Sequence, residues 1–486
     1  MRILLPRLRD FFFILVLAGA LATGSRMLNT DSDLGRHLSL GAYILSSGHI
    51  PTHDILSFTK AGEPRPPYEW LAQVLLAAAN HVLGLDGVVL LIAGLIALAF
   101  TLVYIDAAGR SRAPILSLLI VAWAAVAASL HWLARPHIFS FVLFAAWLYG
   151  LERTRRLQPW RIWYFPVLML VWANTHGGFL YGFLALIAYA AGWFVDSLRR
   201  SANRAHGSRW LIITISSLVA SILTPDLWHN WDAVLNNRSA YVLSQTAETM
   251  PLRLTLPAVW PFIALVALAA ILLLLLRAHA PATHVFLLAG LLLLSIVMVR
   301  NIPFFAIAAA PILSSWAAEV AAGVKVWVRV EDRLSQIDAT FRGFLWSGLA
   351  VLLVVVAFAY RDAAARTDVF SFRPDIFPVQ AADWLIANPQ PGHMFSDFNW
   401  GGYLLYRLWP GQQVFIDSQS DFYGEALTRE AAQIAAGDPG WQAALDRHEV
   451  HWILVPRSAG LASAASSSPA WRVTYQDDIA VILIRR

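Results

Sequence analysis

Long apolar runs separated by short polar segments repeat along the first 360 residues of the chain. A run of about 17 to 25 apolar residues is long enough to cross the hydrocarbon core of a bilayer as a helix. The predicted spans lie near residues 11–28, 86–106, 114–131, 137–151, 160–175, 178–196, 209–224, 258–276, 283–299, 303–322 and 342–360. The pattern therefore predicts a polytopic α-helical membrane protein with about 11 spans.

The pattern changes after residue 360, where polar positions become frequent. Helical patterns alternate with short apolar runs in this part of the chain. The predicted helices cover 378–388, 402–408, 425–436 and 441–448, and the predicted strands cover 393–396, 413–417, 450–455, 471–475 and 479–484. This alternation favours a small α/β domain with a largely parallel sheet. We therefore expect a transmembrane domain at 1–360, with an outer loop at 29–85, and a soluble domain at 361–486.

Composition agrees with a membrane protein and excludes several other classes. The chain is 58% hydrophobic and only 14% charged, whereas soluble domains carry about a quarter charged residues. The absence of cysteine excludes disulfides, thiolate metal sites and cysteine nucleophiles. The net charge of +5 does not indicate a nucleic-acid partner, because the arginines lie in short loops where membrane topology places them. No glycine-rich nucleotide loop is found, which argues against a nucleotide-driven pump.

The helix predicted from Tyr68 to about Leu85 decides the topology. If this short helix lies along the membrane surface, the amino terminus and the Arg-rich loops, such as Arg153 to Arg161, face the cytoplasm. If it crosses, every later loop changes side, against the positive-inside bias. We therefore favour an interfacial helix here, with the amino terminus inside and the carboxyl terminus outside. A cleaved signal peptide at the amino terminus is the alternative for the first apolar run.

Most polar clusters then face outward, and the first of them contains the motif Asp31-Ser32-Asp33. Two carboxylates at this spacing can share a divalent cation, or one can accept a proton from an attacking hydroxyl. They can equally belong to a solvated loop or a helix cap. A second outer loop, from Pro225 to Pro257, is either a lid or an interfacial loop that holds Trp at headgroup level.

Four segments together carry a resemblance to a known family. They are the Asp31-x-Asp33 motif after the first span, Gly48-His49-Ile50-Pro51, Pro66-Pro67-Tyr68-Glu69-Trp70-Leu71, and Ala134-Arg135-Pro136-His137. In this order they resemble the GT-C superfamily of polyprenyl-phosphate-sugar glycosyltransferases, and most of all its protein O-mannosyltransferase and aminoarabinose transferase-like branch. The resemblance covers roughly residues 10–200. His137 replaces a more usual acidic residue, and Glu69 stands where an aromatic residue often does.

The resemblance implies that an acceptor hydroxyl attacks the anomeric carbon of a lipid-phosphate sugar with inversion, outside the membrane. Asp33 or Asp31 matches the position of the catalytic base. Negative charge that develops on the leaving phosphate requires cationic or hydrogen-bonding groups. The candidates for this donor-phosphate site are Arg135, His137, His176 and Arg300, and the candidates for substrate binding are Arg36, His53, Asp54, Tyr68, Glu69 and Asn174.

Three residues of the carboxyl-terminal domain are candidates for acceptor binding. Asp397, Trp400 and Asp417 follow predicted strands, and ligands of open α/β sheets bind at the carboxyl ends of the strands. In the alternative interpretation Asp397 caps the next helix and the following glycines only make a turn. Both interpretations stay open at this stage.

Cofactors and partners follow from these assignments. A divalent cation is possible and would bind Asp31 and Asp33. The expected partners are a polyprenyl-phosphate sugar, membrane lipid, and a glycan, lipid or protein acceptor, and the expected location is a bacterial inner membrane with the carboxyl-terminal domain outside. A lipid or glycan transporter and a non-catalytic scaffold of an envelope assembly complex are the alternatives. A transporter usually places ionisable residues at mid-membrane, whereas Asp106, Asp196 and Glu319 lie near predicted span ends.

Overall fold

The computed structural model describes residues 5–157, 161–200, 207–235, 239–244, 247–276, 280–341, 343–365 and 368–486. Parts of the loop from Pro225 to Pro257 that is expected outside the membrane, namely 236–238 and 245–246, lie outside the described residues. The helices are α1 Leu8–Ala22, α2 Gly24–Asn29, α3 Asp33–Ser47, α4 Trp70–Ser111, α5 Pro114–Ala128, α6 His137–Arg155, α7 Tyr164–Ala173, α8 Phe179–Arg200, α9 Gly207–Ile222, α10 His229–Leu235, α11 Ala240–Ser244, α12 Trp260–Leu276, α13 Ala282–Val297, α14 Ile302–Ala321, α15 Lys325–Thr340, α16 Phe344–Ala365, α17 Val379–Ala387, α18 Gly401–Leu408, α19 Ser420–Ala436, α20 Trp441–Arg447 and α21 Gly460–Ser466.

The strands are β1 His393–Ser396, β2 Val450–Pro456, β3 Trp471–Gln476 and β4 Ala480–Arg485. They form one sheet in the order β1-β2-β4-β3. Only β1 and β2 are parallel, and the β2/β4 and β4/β3 pairs are antiparallel. The prediction of a largely parallel sheet is therefore wrong, because the tight turn between β3 and β4 makes a hairpin. The predicted strand at 413–417 is also wrong, since Val414 makes only an isolated bridge to Ser57.

The chain divides into two compact units. The helical unit consists of residues 1–23, 90–228 and 247–367, and the loop–sheet unit consists of residues 24–89, 229–246 and 368–486. The outer loop expected at 29–85 therefore belongs to the same compact unit as the sheet. The chain passes from one unit to the other within α4.

Apolar helices build the helical unit. Among the described residues, five helices are long and apolar enough to cross a membrane, or six if one bent pair counts as a span. They are Trp70–Ser111, Pro114–His131, Phe179–Leu198, Pro257–Leu276 and Val299–Ala321. Three shorter apolar helices, Tyr164–Ala173, Gly207–Ile222 and Ala282–Val297, also coincide with predicted spans. The fold is thus that of a multi-pass membrane protein.

Helices α1 and α5 begin at the same end of the helical unit, where both contact α15. The carboxylate of Asp338, in α15, accepts a hydrogen bond from the backbone N–H of Leu8 at 2.7 Å. The carboxylate of Glu331, one heptad earlier, accepts from the backbone N–H of Ile115 at 3.0 Å. Carboxylates near helix amino termini satisfy free N–H groups and interact favourably with the helix dipole. Helix α15 therefore lies across the amino-terminal ends of α1 and α5.

A break divides α4 where the sequence predicts one helix to end and a span to begin. Leu83 and Gly84 have non-helical backbone angles, and Gly84 has a φ of 59°. Just after the break, the carboxylate of Asp86 accepts hydrogen bonds from the backbone N–H groups of Val369 and Phe370, at 2.8 and 2.7 Å. The turn of α4 that follows the break thus connects directly to the segment that leads into the sheet.

The loop–sheet unit is held together by a close contact between α3 and α18. A Cβ atom placed on Gly35 would lie 2.1 Å from the carbonyl oxygen of Gly402, and a Cβ on Gly402 would lie 2.1 Å from that of Ser32. Only glycine allows two backbones to approach this closely. Gly402 therefore serves the packing of α18 against the start of α3 and does not only make a turn.

Candidate active site

Asp31 and Asp33 lie at the start of α3. The Oδ1 atom of Asp31 accepts a hydrogen bond from the backbone N–H of Asp33 at 3.0 Å. The Asp33 carboxylate accepts a hydrogen bond from the hydroxyl of Ser418, and its Oδ1 lies 3.5 Å from the guanidinium of Arg36, one helical turn later. These contacts fix the orientation of the Asp33 carboxylate.

A buried network of charges continues from Arg36 into the carboxyl-terminal part of the unit. The Nε atom of Arg36 lies 3.7 Å from Asp417, whose side chain is fully buried. Asp417 also accepts a hydrogen bond from the hydroxyl of Tyr423 at 3.1 Å and lies 3.5 Å from Arg65. Arg65 in turn pairs with the carboxylate of Asp54. Two arginines and three carboxylates, counting that of Asp33, thus compensate one another's charge away from water, as buried charges require.

Nearby carboxylates keep the two arginines ionised in their buried positions. Burial by itself lowers the pKa of Arg36, but the carboxylates of Asp33 and Asp417 outweigh it and the net shift of this pKa is upward. The pKa of Arg65 is likewise raised, because Asp417 and Asp54 overcome the effect of burial. Both arginines therefore stay positively charged at every pH of interest.

Five of the six predicted substrate-binding residues line one small cavity of the loop–sheet unit. They are Arg36, His53, Asp54, Tyr68 and Glu69. The cavity has a volume of about 30 Å³, which is room for roughly two water molecules. The sixth residue, Asn174, belongs to the helical unit, where its side-chain amide donates to the carbonyl oxygens of Leu170 and Leu223, both at 2.9 Å.

A larger groove adjoins this cavity. It has a volume of about 500 Å³, within the range of about 300 to 1,000 Å³ that is usual for small-molecule sites. Arg65, Pro66, Tyr68 and Gln419 line both the cavity and the groove. The groove is also lined by Lys60, Glu63, Pro64, Asp232, Ala233, Leu235, Asp421 and Phe422. It combines aromatic surfaces with charges of both signs.

The three predicted acceptor-binding residues occupy supporting positions. Asp397 caps the short helical turn after β1, where its carboxylate accepts from the backbone N–H of Asn399 at 2.8 Å, and burial raises its pKa. The indole of Trp400 is buried and donates to the carbonyl oxygen of Ile376 at 2.9 Å. Asp417 is enclosed by the charge network. Each side chain is therefore engaged in holding the domain, and a role in acceptor binding stays a prediction.

In the helical unit, the segment before α6 carries the first candidates for phosphate binding. The guanidinium of Arg135 pairs with the carboxylate of Glu248 at 2.8 Å, and Nε2 of His131 lies 3.5 Å from the same carboxylate. Nε2 of His137 lies 2.9 Å from the carbonyl oxygen of His131. Because that oxygen can only accept, Nε2 of His137 must donate, and this donor is already used within the segment.

His176 lies in the tight turn between α7 and α8 and belongs to the same cluster. Its Nδ1 atom accepts from the backbone N–H of Gly178 at 2.9 Å, and the hydroxyl of Ser140 lies 2.9 Å from it. Nδ1 is therefore unprotonated and Nε2 carries the proton. Burial, together with the positive charge of Arg300, lowers the pKa of His176 to about 3. His176 is thus neutral at pH 7 and offers a hydrogen-bond donor, not a positive charge.

Arg300 is placed by its neighbours on the short turn before α14. The adjacent Asn301 is buried and pairs with the hydroxyl of Tyr181, and the ring of Tyr181 stacks on Phe304 with centroids 3.8 Å apart. Because Arg300 acts electrostatically on His176 and on Tyr181, its charge lies near the histidine cluster. The structure thus brings Arg135, His137, His176 and Arg300 together within the helical unit.

The side chains around Asp31 and Asp33 offer few ligands for a metal ion. In the described ranges, His, Cys, Asp and Glu side chains form no group of three or more that could hold a metal ion. The carboxylate of Asp33 already lies 3.5 Å from the cation Arg36, which is unfavourable for the binding of a metal cation at the same carboxylate. A divalent cation at Asp31 and Asp33 stays a prediction.

Sequence reasoning missed four residues of these two clusters. Arg65, Ser418 and Gln419 connect residues 29–85 to the carboxyl-terminal part of the unit, and Glu248 pairs with Arg135. Arg65 had a possible signal, since it is a lone arginine within Glu63-Pro64-Arg65-Pro66-Pro67. Ser418 and Gln419 follow Asp417 directly, at the end of a predicted strand, but their contacts lie far along the chain. No local pattern indicates Glu248.

No family model matches the sequence, and no curated protein matches it. Solved structures do match. The chain has the fold of the GT-C superfamily of membrane glycosyltransferases, as the resemblance of its motifs implies. The Archaeoglobus fulgidus oligosaccharyltransferase in its apo form matches with a TM-score of 0.60 at 12% identity, over 92% of this chain and 70% of that chain.

Two further structures were determined with bound molecules. The same oligosaccharyltransferase, tethered to an acceptor peptide that contains an NVT sequon, matches with a TM-score of 0.60 at 10% identity, over 92% of this chain and 69% of that chain. ArnT from Cupriavidus metallidurans bound to undecaprenyl phosphate matches with a TM-score of 0.50 at 14% identity, over 97% of both chains. At these identities the likeness establishes the fold.

Proposed function

We propose that this protein is an inverting glycosyltransferase that takes a sugar from a polyprenyl-phosphate donor at the outer face of the membrane. The observation that carries the proposal is the arrangement of the outer loop in a GT-C fold. Five predicted substrate-binding side chains line one cavity, and one of them, Arg36, holds the Asp33 carboxylate at the start of α3. The similar structures support the donor class, because ArnT was solved with undecaprenyl phosphate.

In the proposed reaction the oxygen of an acceptor hydroxyl bonds to the anomeric carbon of the sugar while the bond from that carbon to the phosphate oxygen breaks. The hydroxyl proton passes to a carboxylate, Asp33 or Asp31, and polyprenyl phosphate leaves with the bonding electron pair. The contacts of Asp33 with Ser418 and Arg36 stabilise its anion and fix its orientation. Such a general base contributes about 10²- to 10⁴-fold to the rate.

The leaving phosphate gains negative charge, and the cationic cluster of the helical unit is suited to stabilise it. Arg135 and Arg300 supply permanent positive charges, and His176 supplies the Nε2 proton. His137 has no further hydrogen-bond donor for a phosphate, since its Nε2–H donates to the backbone carbonyl oxygen of His131 and its unprotonated Nδ1 can only accept. We therefore assign His137 a positioning role next to Arg135.

The groove of about 500 Å³ is the proposed acceptor site. Tyr68 and Phe422 present aromatic surfaces, on which a sugar ring or an apolar side chain can pack. Glu63, Asp232 and Asp421 can accept hydrogen bonds from hydroxyl groups. An envelope glycan, a lipid headgroup or a protein segment fits this chemistry. The acceptor peptide in the oligosaccharyltransferase structure supports a macromolecular acceptor.

We also propose about 11 spans, with the amino terminus inside and the carboxyl-terminal domain outside a bacterial inner membrane. Helix α15 bonds to the amino-terminal ends of both α1 and α5, so these two helices start on the same side. If Tyr68 to Leu85 lies at the interface, two spans separate the starts of α1 and α5, and both helices start on the same side. If this helix crosses the membrane, three spans separate them, and the two helices start on opposite sides. The geometry therefore supports the topology that the arginine bias favours.

The test is turnover of radiolabelled polyprenyl-phosphate sugars by the purified protein in nanodiscs. We expect release of polyprenyl phosphate with one donor of the panel, and a loss of about 10²- to 10⁴-fold in Asp33→Asn or Asp31→Asn. Asp375→Asn is the matched control, because Asp375 is exposed and pairs only locally with Arg373. If no donor is consumed, and Asp33→Asn still complements a deletion strain, the transferase proposal is wrong.

A further inference from the structure

Helix α15 has a buried side that holds it against the helical unit. Glu331 is 3% exposed, and its carboxylate accepts from the backbone N–H groups of Ile115 and Leu116, at 3.0 and 2.9 Å. Asp338 lies two turns further along the same side and accepts from the backbone N–H of Leu8. The rest of the helix surface therefore faces away from this contact.

The side opposite to this contact carries a row of positive charges. Lys325, Arg329 and Arg333 follow one another at intervals of four residues, and all three are exposed. At about 100° per residue this spacing places them on one stripe of the helix. Asp332 is also exposed and lies at the edge of the stripe.

The other edge of the basic stripe carries exposed apolar side chains. Val326 is 66% exposed, Val330 is 46% exposed and Ile337 is 44% exposed. By helical geometry these three residues form a second stripe, between the basic stripe and the buried side. A helix with one buried side, one apolar stripe and one basic stripe is typical of helices that lie in a membrane interface.

The position of α15 in the fold agrees with an interfacial location. The carboxylates of buried Glu331 and partly buried Asp338 bond to the first turns of α5 and α1. The segment Pro114–His131 is long and apolar enough to cross a membrane. The end of such a span marks the boundary of the hydrocarbon core. Helix α15 therefore lies at the level of the lipid headgroups, with its axis across the ends of the spanning helices.

We infer that α15 is a lipid-binding helix: its apolar stripe enters the acyl region of one leaflet, and Lys325, Arg329 and Arg333 bind anionic headgroups. The charge complementarity between this stripe and an anionic membrane surface identifies the occupant. The inference is independent of the proposed transferase activity. It assigns α15 to membrane attachment and not to the binding of a second protein.

The chain has no cysteine, so single spin labels can be placed without background. We propose Val330→Cys on the apolar stripe, and Arg329→Cys and Asp332→Cys on the polar surface as matched controls, each in nanodiscs. We expect collisions with oxygen to dominate at 330 and collisions with a water-soluble nickel complex to dominate at 332. Equal access of the nickel complex at 330 and 332 would overturn the lipid contact, and protection at 330 from both reagents would indicate a protein partner instead.

A second measurement tests the preference for anionic lipid. A fluorophore at Val330→Cys is quenched by headgroup-spin-labelled phosphatidylglycerol or phosphatidylcholine at equal mole fraction. We expect stronger quenching by phosphatidylglycerol, with a preference of roughly fivefold per basic residue at low salt. The preference should vanish in Lys325→Gln/Arg329→Gln/Arg333→Gln and persist in the control Arg373→Gln/Arg429→Gln/Arg447→Gln. Equal quenching by both lipids in the parent protein would contradict the role of the basic stripe.

Discussion

The guanidinium of Arg65 lies 3.5 Å from the buried carboxylate of Asp417. Arg65 belongs to the loop between α3 and α4, and Asp417 belongs to the carboxyl-terminal part of the chain. The same guanidinium pairs with Asp54. Arg65 thus links the segment that carries the Asp31-x-Asp33 motif to the segment that carries Ser418. The stability of the loop–sheet unit and the geometry of the candidate site therefore both depend on the ion pairs of Arg65 with Asp54 and Asp417.

We expect Arg65→Met to destabilise the protein strongly. The substitution leaves Asp54 and Asp417 buried without their shared cation, and breaking a buried ion pair costs about 3 to 5 kcal/mol. The measurement is the thermal or denaturant unfolding of the loop–sheet unit in nanodiscs. Limited proteolysis within residues 50–70 gives an independent reading of loop opening.

Arg373→Met is the control for Arg65→Met. Arg373 pairs with Asp375, but both side chains are more than half exposed, and exposed ion pairs contribute about 0 to 1 kcal/mol. If the two variants unfold alike, Arg65 does not hold the loop.

Gly402→Ala should displace α3 from α18. The new methyl group would lie 2.1 Å from the carbonyl oxygen of Ser32, so the backbones must separate, and overpacking of this kind costs about 1 to 3 kcal/mol. A shift of about 1 Å at Asp33 would reduce turnover by about 10²-fold. Gly411→Ala is the matched control, because its Cβ would lie 3.4 Å from the nearest atom. Normal turnover in Gly402→Ala would show that the α3–α18 contact does not position Asp33.

Periodicity alone was sufficient to predict the elements that are locally determined. Each predicted span overlaps at least one helix of the described residues, because apolar length is a property of a single segment, but the span predicted at 11–28 is divided between α1 and α2 at Thr23. The resemblance of the Asp31-x-Asp33 and Ala134-Arg135-Pro136-His137 segments also led to the correct fold. The break at Gly84 was predictable for a similar reason, since polar residues precede it and an apolar run follows.

The contacts between distant segments could not be predicted. The strand expected at 413–417 pairs only at Val414, because a strand needs a partner that the segment itself does not specify. The motif Gly401-Gly402 suggested a turn, whereas close packing on Ser32 decides its role. Glu248 carried no local signal, and its importance depends entirely on the fold that brings it to Arg135.

His176 should make the protein less stable in mild acid. Its pKa in the folded protein is about 3, below the value of about 6.5 in an unfolded chain. The unfolded state therefore binds the proton first, so stability is complete above pH 6.5 and falls as the pH decreases towards 3. At pH 5 the loss from this group is at most about 2 kcal/mol.

His176→Gln tests this pH dependence by difference. The glutamine cannot be protonated, so the variant should lose less stability than the parent between pH 7.5 and pH 5. His49→Gln is a suitable control, because His49 is exposed. The same slope in the parent and in His176→Gln would rule out a buried neutral imidazole at this position.

Arg135 and Glu248 should affect donor binding in opposite directions. The two side chains pair at 2.8 Å, so a phosphate that binds Arg135 must compete with the Glu248 carboxylate. A hydrogen bond between charged groups contributes about 1.5 to 3 kcal/mol, and we therefore expect Arg135→Gln to weaken the binding of polyprenyl phosphate by about 10- to 100-fold. Glu248→Gln should strengthen binding, because it removes the competing charge but keeps the shape of the side chain. Binding of radiolabelled polyprenyl phosphate to nanodiscs measures both effects, and parallel losses in the two variants would mean that the pair supports the fold instead of the phosphate site.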